Sequence, residues 1–239
     1  MNMESRKSEQ YDAQRNVIQQ YMINGQFVEA EREVIRLRRE MEEDADVPKD
    51  LLSDIYYKQY HLAWIRKDKE NAFKFAEKAI ELHSSNEAKV QIYANLAMNA
   101  LQRELLDDAM EYVEKGISLL MENTTTTWYL YLIKGKIQLK KGDLDAALLD
   151  FTTSTKEANR LHLPHGEIAA NICVAETLYL MGLKNNALSE IVRMELYAQR
   201  TMQLQQYLRV LIKKAQLLFR MGRNEEAERV ILTIPDFND

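Results

Sequence analysis

The residues able to do chemistry in this chain are few and scattered. His162 and His165, separated by Leu163 and Pro164, have a spacing that can place two imidazoles on one metal ion. Pro164 puts them in a loop, however, and no second pair of ligands lies nearby in sequence. The segment reads as a surface loop, and no metal is expected. Cys173 is the only cysteine and sits in the apolar run Ile172-Cys173-Val174-Ala175, which predicts a buried, inert thiol. A single cysteine forms no internal disulfide and fits a reducing compartment. The carboxylate runs Glu42-Glu43-Asp44 and Asp107-Asp108 are consecutive, so on a helix their side chains point in different directions. Acid–base catalysis needs two such groups converging on one substrate. No phosphate-cradling glycine loop, nucleophile elbow or nucleotide motif is found. The expectation is a non-enzyme with no catalytic residues and no cofactor.

What must position any binding residue is therefore the scaffold. Hydrophobic residues make up 46% of the 239 and charged residues 29%, enough apolar material for a core and too much for a disordered chain. Seven glycines and three prolines are too few for a sandwich or barrel and suit helices. The net charge is −5. Arg36, Arg38 and Arg39 are interleaved with Glu31, Glu33 and Glu40, the pattern of a solvated, salt-bridged helix face. No nucleic-acid partner is expected. Met1 to Gln10 carries no apolar signal-peptide region. No run approaches the 18 apolar residues of a membrane span. A cytoplasmic protein without membrane contact is expected.

An alanine recurs along the chain at Ala30, Ala72, Ala109, Ala147, Ala187 and Ala227, with gaps of 42, 37, 38, 40 and 40 residues. Four of these follow a glycine by five residues: Gly25, Gly142, Gly182 and Gly222. A fixed period of this size indicates stacked helical repeats. Helical periodicity runs almost throughout, as in Val17, Ile18, Tyr21 and Met22 or Phe73, Ala76, Ala79 and Ile80. Thr124 to Thr127 reads as a loop with a helix N-cap, and Ser84-Ser85-Asn86-Glu87 as a capping box opening a helix near residue 86. Pro48, Pro164 and Pro235 fall at boundaries. The breakers predict twelve helices in six pairs: 5–23 with 26–44, 48–66 with 69–83, 86–102 with 105–121, 126–141 with 144–161, 165–181 with 184–200, and 203–221 with 224–234. Connections of two to five residues make neighbours antiparallel. The expectation is one repeat domain over residues 1–239, with units at about 5–44, 48–83, 86–121, 126–161, 165–200 and 203–234.

A second small residue keeps register with the ladder. Gly135, Ala175 and Ala215 lie seven before Gly142, Gly182 and Gly222, and Ala97 lies twelve before Ala109. Together with Phe151 one turn after Ala147, this pattern resembles the tetratricopeptide (TPR) repeat. Small residues let the two helices of a pair approach closely while larger neighbours flank the contact. The period here exceeds the family's 34, which implies longer helices, and most units lack the terminal proline. In the first two units Ile18 and Tyr60 stand where a small residue is expected. The resemblance implies an all-α, right-handed superhelix of about six antiparallel pairs, TPR-like in fold.

Residues 10–65 also resemble the start of Rap-type regulators, through Met41-Glu42-Glu43-Asp44, Tyr56-Tyr57 and Tyr60-His61-Leu62. Those proteins bind a signalling peptide in a TPR domain and a response regulator through N-terminal helices. In the phosphatase members a glutamine follows the acidic run. Ala45 stands there in this chain, so no amide orients an attacking water.

In TPR arrays the first helix of each pair lines the concave face. Register then assigns the lining to Tyr57, Lys58, His61 and Trp64, to Gln91, Asn95, Met98 and Gln102, and to Tyr129, Leu132, Ile133, Lys136 and Lys140. Ile172, Glu176 and Tyr179 follow, then Arg209, Lys213, Gln216 and Arg220. A groove of this kind suits a peptide with apolar anchors and an acidic group. Asn95 can donate to and accept from a peptide backbone at once, or bond within its own helix. The carboxylate clamp of chaperone-binding TPR domains is not matched, because Tyr57, His61, Tyr129 and Ile133 replace its Lys and Asn partners around Asn95. The expected function is a non-catalytic scaffold or sensor binding a protein or peptide. The alternative is a Rap-like regulator that sequesters a response regulator or transcription factor. The apolar end Val230-Ile231-Leu232 either caps the array or pairs with a second copy in a homodimer.

Overall fold

A computed structural model describes residues 3–121 and 124–234. The described residues form twelve helices, α1 (Met3–Ile23), α2 (Phe27–Glu43), α3 (Lys49–Ile65), α4 (Lys69–Leu82), α5 (Asn86–Gln102), α6 (Leu106–Ser118), α7 (Thr127–Lys141), α8 (Leu144–Arg160), α9 (Pro164–Leu180), α10 (Lys184–Arg200), α11 (Leu204–Arg220) and α12 (Asn224–Leu232). The fold is all-α, and most ends fall within a residue or two of the sequence reading. The boundary at Pro235 lies outside the described residues.

The ladder glycines mark only part of a more general turn. Within each pair the chain passes through one residue of positive φ: Gly25, Lys67, Glu104, Gly142, Gly182 and Gly222. Each precedes its ladder alanine by five residues. The following N–H reaches back five residues, from Gln26 to Tyr21, Asp68 to Ala63, Leu105 to Ala100, Asp143 to Gln138, Leu183 to Leu178 and Arg223 to Leu218, at 2.8–3.0 Å. This is the left-handed closure that satisfies the last helix carbonyls. Two turns between pairs, at His162 and Met202, use the same device. A side chain in this conformation costs about 1–2 kcal/mol, and glycine gives back about 0.5–1 of that through its freer unfolded chain. Lys67→Gly and Met202→Gly are therefore each expected to raise unfolding free energy by roughly 0.5–1 kcal/mol, read from urea denaturation. No change in either would contradict this account of the turn.

The starts of α4, α5 and α8 carry side-chain caps, whereas α2, α3, α6, α7 and α9 to α12 have none. Asp68 accepts from the Asn71 N–H at 3.3 Å and Asp143 from that of Ala146 at 3.0 Å. At the expected capping box it is Ser85 that accepts, from Ala88 at 3.4 Å, while Ser84 bonds across to Asp50. The loop before α7 is held by Thr124, whose hydroxyl accepts from Met121, and by Thr127, which donates to the Thr124 carbonyl.

The ladder alanines are all fully buried. In the first five pairs the residue four after the alanine is buried opposite the small position of the first helix, whereas in the sixth Ile231 is exposed. Gly135 meets Phe151, whose ring would lie 2.6 Å from an added Cβ. In the second pair the sizes are exchanged: Tyr60 is large and the equivalent of Phe151 is Ala76, both with no exposed surface. Ile18 with Val34 and Ala97 with Val113 are intermediate, again fully buried. The large side chain of the pair can thus stand on either helix, an exchange that a core tolerates when the partner position is small.

The chain divides into two compact units, Met1–Ile92 and Tyr93–Asp239. The first is built on Ile18, Val34, Leu37, Met41, Ile55 and Leu62, with α2 packed against both α1 and α3, and α3 against α4. In the second, α7/α8, α9/α10 and α11/α12 are packed pairs, and α8 and α10 also contact the following first helix. Its first helices touch one another, α7 on α9 and α9 on α11, whereas α8, α10 and α12 do not pack on each other to that extent. The first-helix side of this unit is thus the more closely packed side.

Candidate functional site

In the Met1–Ile92 unit the expected lining residues of α3 form an aromatic group. Tyr57 and His61 meet edge-on with ring centres 4.5 Å apart. Tyr60 lies 4.9 Å from His61 and 6.1 Å from Trp64. Burial first, and then the Lys58 ammonium, push the His61 imidazole down to about 4. It is neutral at pH 7, leaving a half-buried apolar face of helix.

Glu42 and Asp44 of the acidic run bond neighbours within the same unit, while Glu43 is exposed. Tyr11 donates to Asp44 at 2.9 Å and Lys7 at 3.3 Å. Those bonds hold the Asp44 carboxyl below its usual range, while burial pushes the Tyr11 phenol up to about 12. Glu42 takes a bond from Tyr56 and pairs with Arg38 at 3.5 Å. Ala45 is exposed just past the end of α2. The run fixes the α1–α2–α3 packing.

The Tyr93–Asp239 unit gathers charge. α7 carries Lys134, Lys136, Lys140 and Lys141 and no carboxylate. α11 carries Arg209, Lys213, Lys214 and Arg220 and no carboxylate. α9 between them has two glutamates, Glu167 and Glu176, and no lysine or arginine. Three helices of an acidic protein thus hold eight cations against two anions. Lys134 and Lys214 turn toward the second helices, to Asp150 at 3.7 Å and Glu195 at 2.6 Å.

Lys141 likewise reaches Asp107 of α6 at 2.8 Å, and Lys136, Lys140, Arg209, Lys213 and Arg220 are left to the first-helix side. Glu176 receives Lys213 at 2.7 Å and Arg220 at 3.5 Å. The Tyr179 hydroxyl donates to the Arg220 carbonyl at 2.9 Å, and Arg220 and Lys184 each stand 5.9 Å from its ring centre. Lys140 pairs with Glu104 at 2.9 Å. Arg209 bonds only the Gln206 amide, at 3.3 Å, and Lys136 has no ion-pair partner among the described residues. Lys136, Arg209, Lys213 and Glu176 all act electrostatically on Cys173, whose thiol is pushed up, chiefly by burial. That thiol is free and half-buried, and its raised pKa disfavours the thiolate.

The expected lining residues thus separate. Glu176, Tyr179, Lys213, Arg209 and Lys136 come together across three helices. Asn95 and Met98 are half-buried on α5. Tyr129 is largely buried beside Trp128, 5.4 Å between ring centres, against the core of Phe151 and Ala170. Leu132, Ile133 and Ile172 are at most 8% exposed and belong to the core instead. Sequence reasoning passed over Lys184 and Glu104. Glu104 could have been found from its place five before a ladder alanine, the turn position that other units fill with glycine.

No protein-family model matches this chain, and no curated protein matches it. Solved structures do. BtubC (BKLC) from P. vanneervenii is similar with a TM-score of 0.70 at 16% identity, over 87% of each chain. The apo form of RapI matches with a TM-score of 0.71 at 10% identity, over 93% of this chain and 99% of that one. A Podosopora anserina kinesin light chain with nearly identical TPR-like repeats matches with 0.65 at 12%, over 85% and 99%. Identities this low speak to the fold: the chain has the TPR-like α-α repeat fold, which RapI shares. No described helix is long and apolar enough to cross a membrane.

Proposed function

We propose that this protein is a non-catalytic, cytoplasmic scaffold or sensor that binds a protein or peptide on its first-helix, concave side. The observation that carries this reading is the convergence of Lys136, Glu176, Tyr179, Arg209 and Lys213 from α7, α9 and α11 onto one surface. Side chains on several rigid helices form a fixed recognition surface, and repeat folds offer such surfaces far more often than catalytic pockets. Asn95, Met98, Tyr129 and Lys140 belong to the proposed surface, and Tyr57, His61 and Trp64 supply an apolar one in the Met1–Ile92 unit. The test is affinity capture from the native host with mass spectrometry, followed by titration of each partner. Substituting Asn95, Lys136 and Tyr179 by alanine together is expected to weaken binding by about tenfold or more, roughly 1.4 kcal/mol. Unchanged affinity for every captured partner would sink the reading.

The fold shared with RapI supports a second reading, a peptide-responsive regulator that sequesters a response regulator or transcription factor. It predicts a short secreted-peptide gene nearby and a partner released by that peptide. The bonded acidic run and Ala45 argue against phosphatase activity within it.

A further inference from the structure

The charge on the three first helices specifies the occupant further, on the reading that this face binds a partner at all. We propose that the face of α7, α9 and α11 takes an acidic segment of a protein or peptide, whose carboxylates seat on Lys136 and Arg209 and compete with Glu176 for Lys213 and Arg220. The chain as a whole is negative, with a net charge of −5, yet this face is strongly positive. Among the described residues Lys136 and Arg209 are left without a carboxylate, on helices that contact the same central helix. Glu176 shows the geometry such a ligand group adopts: one carboxylate bridged by an ammonium at 2.7 Å and a guanidinium at 3.5 Å. It is half-buried, with 26% of its side chain exposed, so it can be displaced by a competitor arriving from solvent. Tyr179 and the stems of the basic side chains supply apolar contact beside the charges.

The occupied pair makes one outcome distinctive. Removing Glu176 empties a cation site, so binding of an acidic ligand should rise. For a surface that used Glu176 as a contact, binding would fall.

The test uses the full chain and fluorescence anisotropy with labelled peptides built on a Glu-Glu-Leu repeat, the Gln-Gln-Leu and Lys-Lys-Leu counterparts, and a single-stranded DNA oligonucleotide. The acidic peptide is expected to bind at least about tenfold more tightly than the glutamine peptide and to weaken as salt shortens the screening length from about 10 Å to about 3 Å. Lys136→Glu with Arg209→Glu should reduce that affinity about tenfold or more, and the milder double alanine variant should reduce it less, while Lys156→Glu on α8 leaves it unchanged. Glu176→Gln should raise it by about threefold or more. The thermal melt of each variant reports folding, and the alanine pair carries the test if charge reversal unfolds the protein. Equal binding of acidic and glutamine peptides overturns the acidic specification while leaving the peptide-binding reading standing. Binding of the oligonucleotide in place of the acidic peptide overturns both. Binding of neither, with native partners still captured and released by the Asn95, Lys136 and Tyr179 substitutions, overturns the acidic specification alone.

Discussion

Gly135→Ala is expected to destabilise the protein by about 2 kcal/mol, although alanine is the better helix former by about 1 kcal/mol. An added Cβ would lie 2.6 Å from two carbons of the Phe151 ring and 3.1 Å from a third. Phe151 has no exposed surface, so the ring cannot swing into solvent, and the two helices must part. Overpacking of this kind costs about 1–3 kcal/mol beyond the propensity gain. A double-mutant cycle checks the cause. Phe151→Leu alone should lose about 1 kcal/mol, and combined with Gly135→Ala should lose less than the sum of the two, with a coupling of at least about 1 kcal/mol. Urea denaturation measures all four states. A neutral or stabilising Gly135→Ala would remove the close-approach explanation of the small-residue register.

The second large effect is on the acid side of the stability profile. His61 is held at about 4 in the folded protein, against about 6.5 when unfolded. The unfolded chain therefore binds the proton first, and stability falls as pH drops from about 6.5 to about 4. Above that window the contribution is fully present, and below it no further loss comes from this group. The shift sets an upper bound of about 3 kcal/mol, and about 1–3 kcal/mol is expected because the ring is partly exposed. Lys58 adds to the effect, and the Tyr57 and Tyr60 rings provide the burial. Asp150, whose carboxyl is raised by burial, acts in the opposite sense over part of the same range. The difference between wild type and His61→Phe isolates the histidine. The variant should be flatter between pH 6.5 and 4, and parallel curves would show that His61 is not the source.

The helices were legible because their breakers are few and their periodicity is long. The six pairs followed from the alanines, which are fully buried in every pair. Pair two is a poor match in residue type for a physical reason. Lys67 replaces the turn glycine at a tolerable backbone cost, and Tyr60 replaces the small residue because Ala76 opposite makes room. A search for residue types misses both, since what is kept is a backbone conformation and a buried contact that either helix can fill. The charge on the first-helix face could be counted from sequence. Leu132, Ile133 and Ile172 were assigned to the lining through register alone, which says which side of a helix a residue is on but not how deep it lies. Whether a given cation was spoken for also needed coordinates: Lys134 and Lys136 are two residues apart, and only the first reaches a carboxylate on α8.

The backbone closure of the within-pair turns has a consequence for how such chains diverge. Since the left-handed residue is held by main-chain hydrogen bonds, its side chain is open to drift at a cost of about 1 kcal/mol per turn. Glu104 stands at such a position and pairs with Lys140 of the next pair. A lineage can lose its glycines one at a time while every turn stays closed. Detectability from motifs then decays faster than geometry, which is how a chain can share a shape with RapI at 10% identity and match no family model.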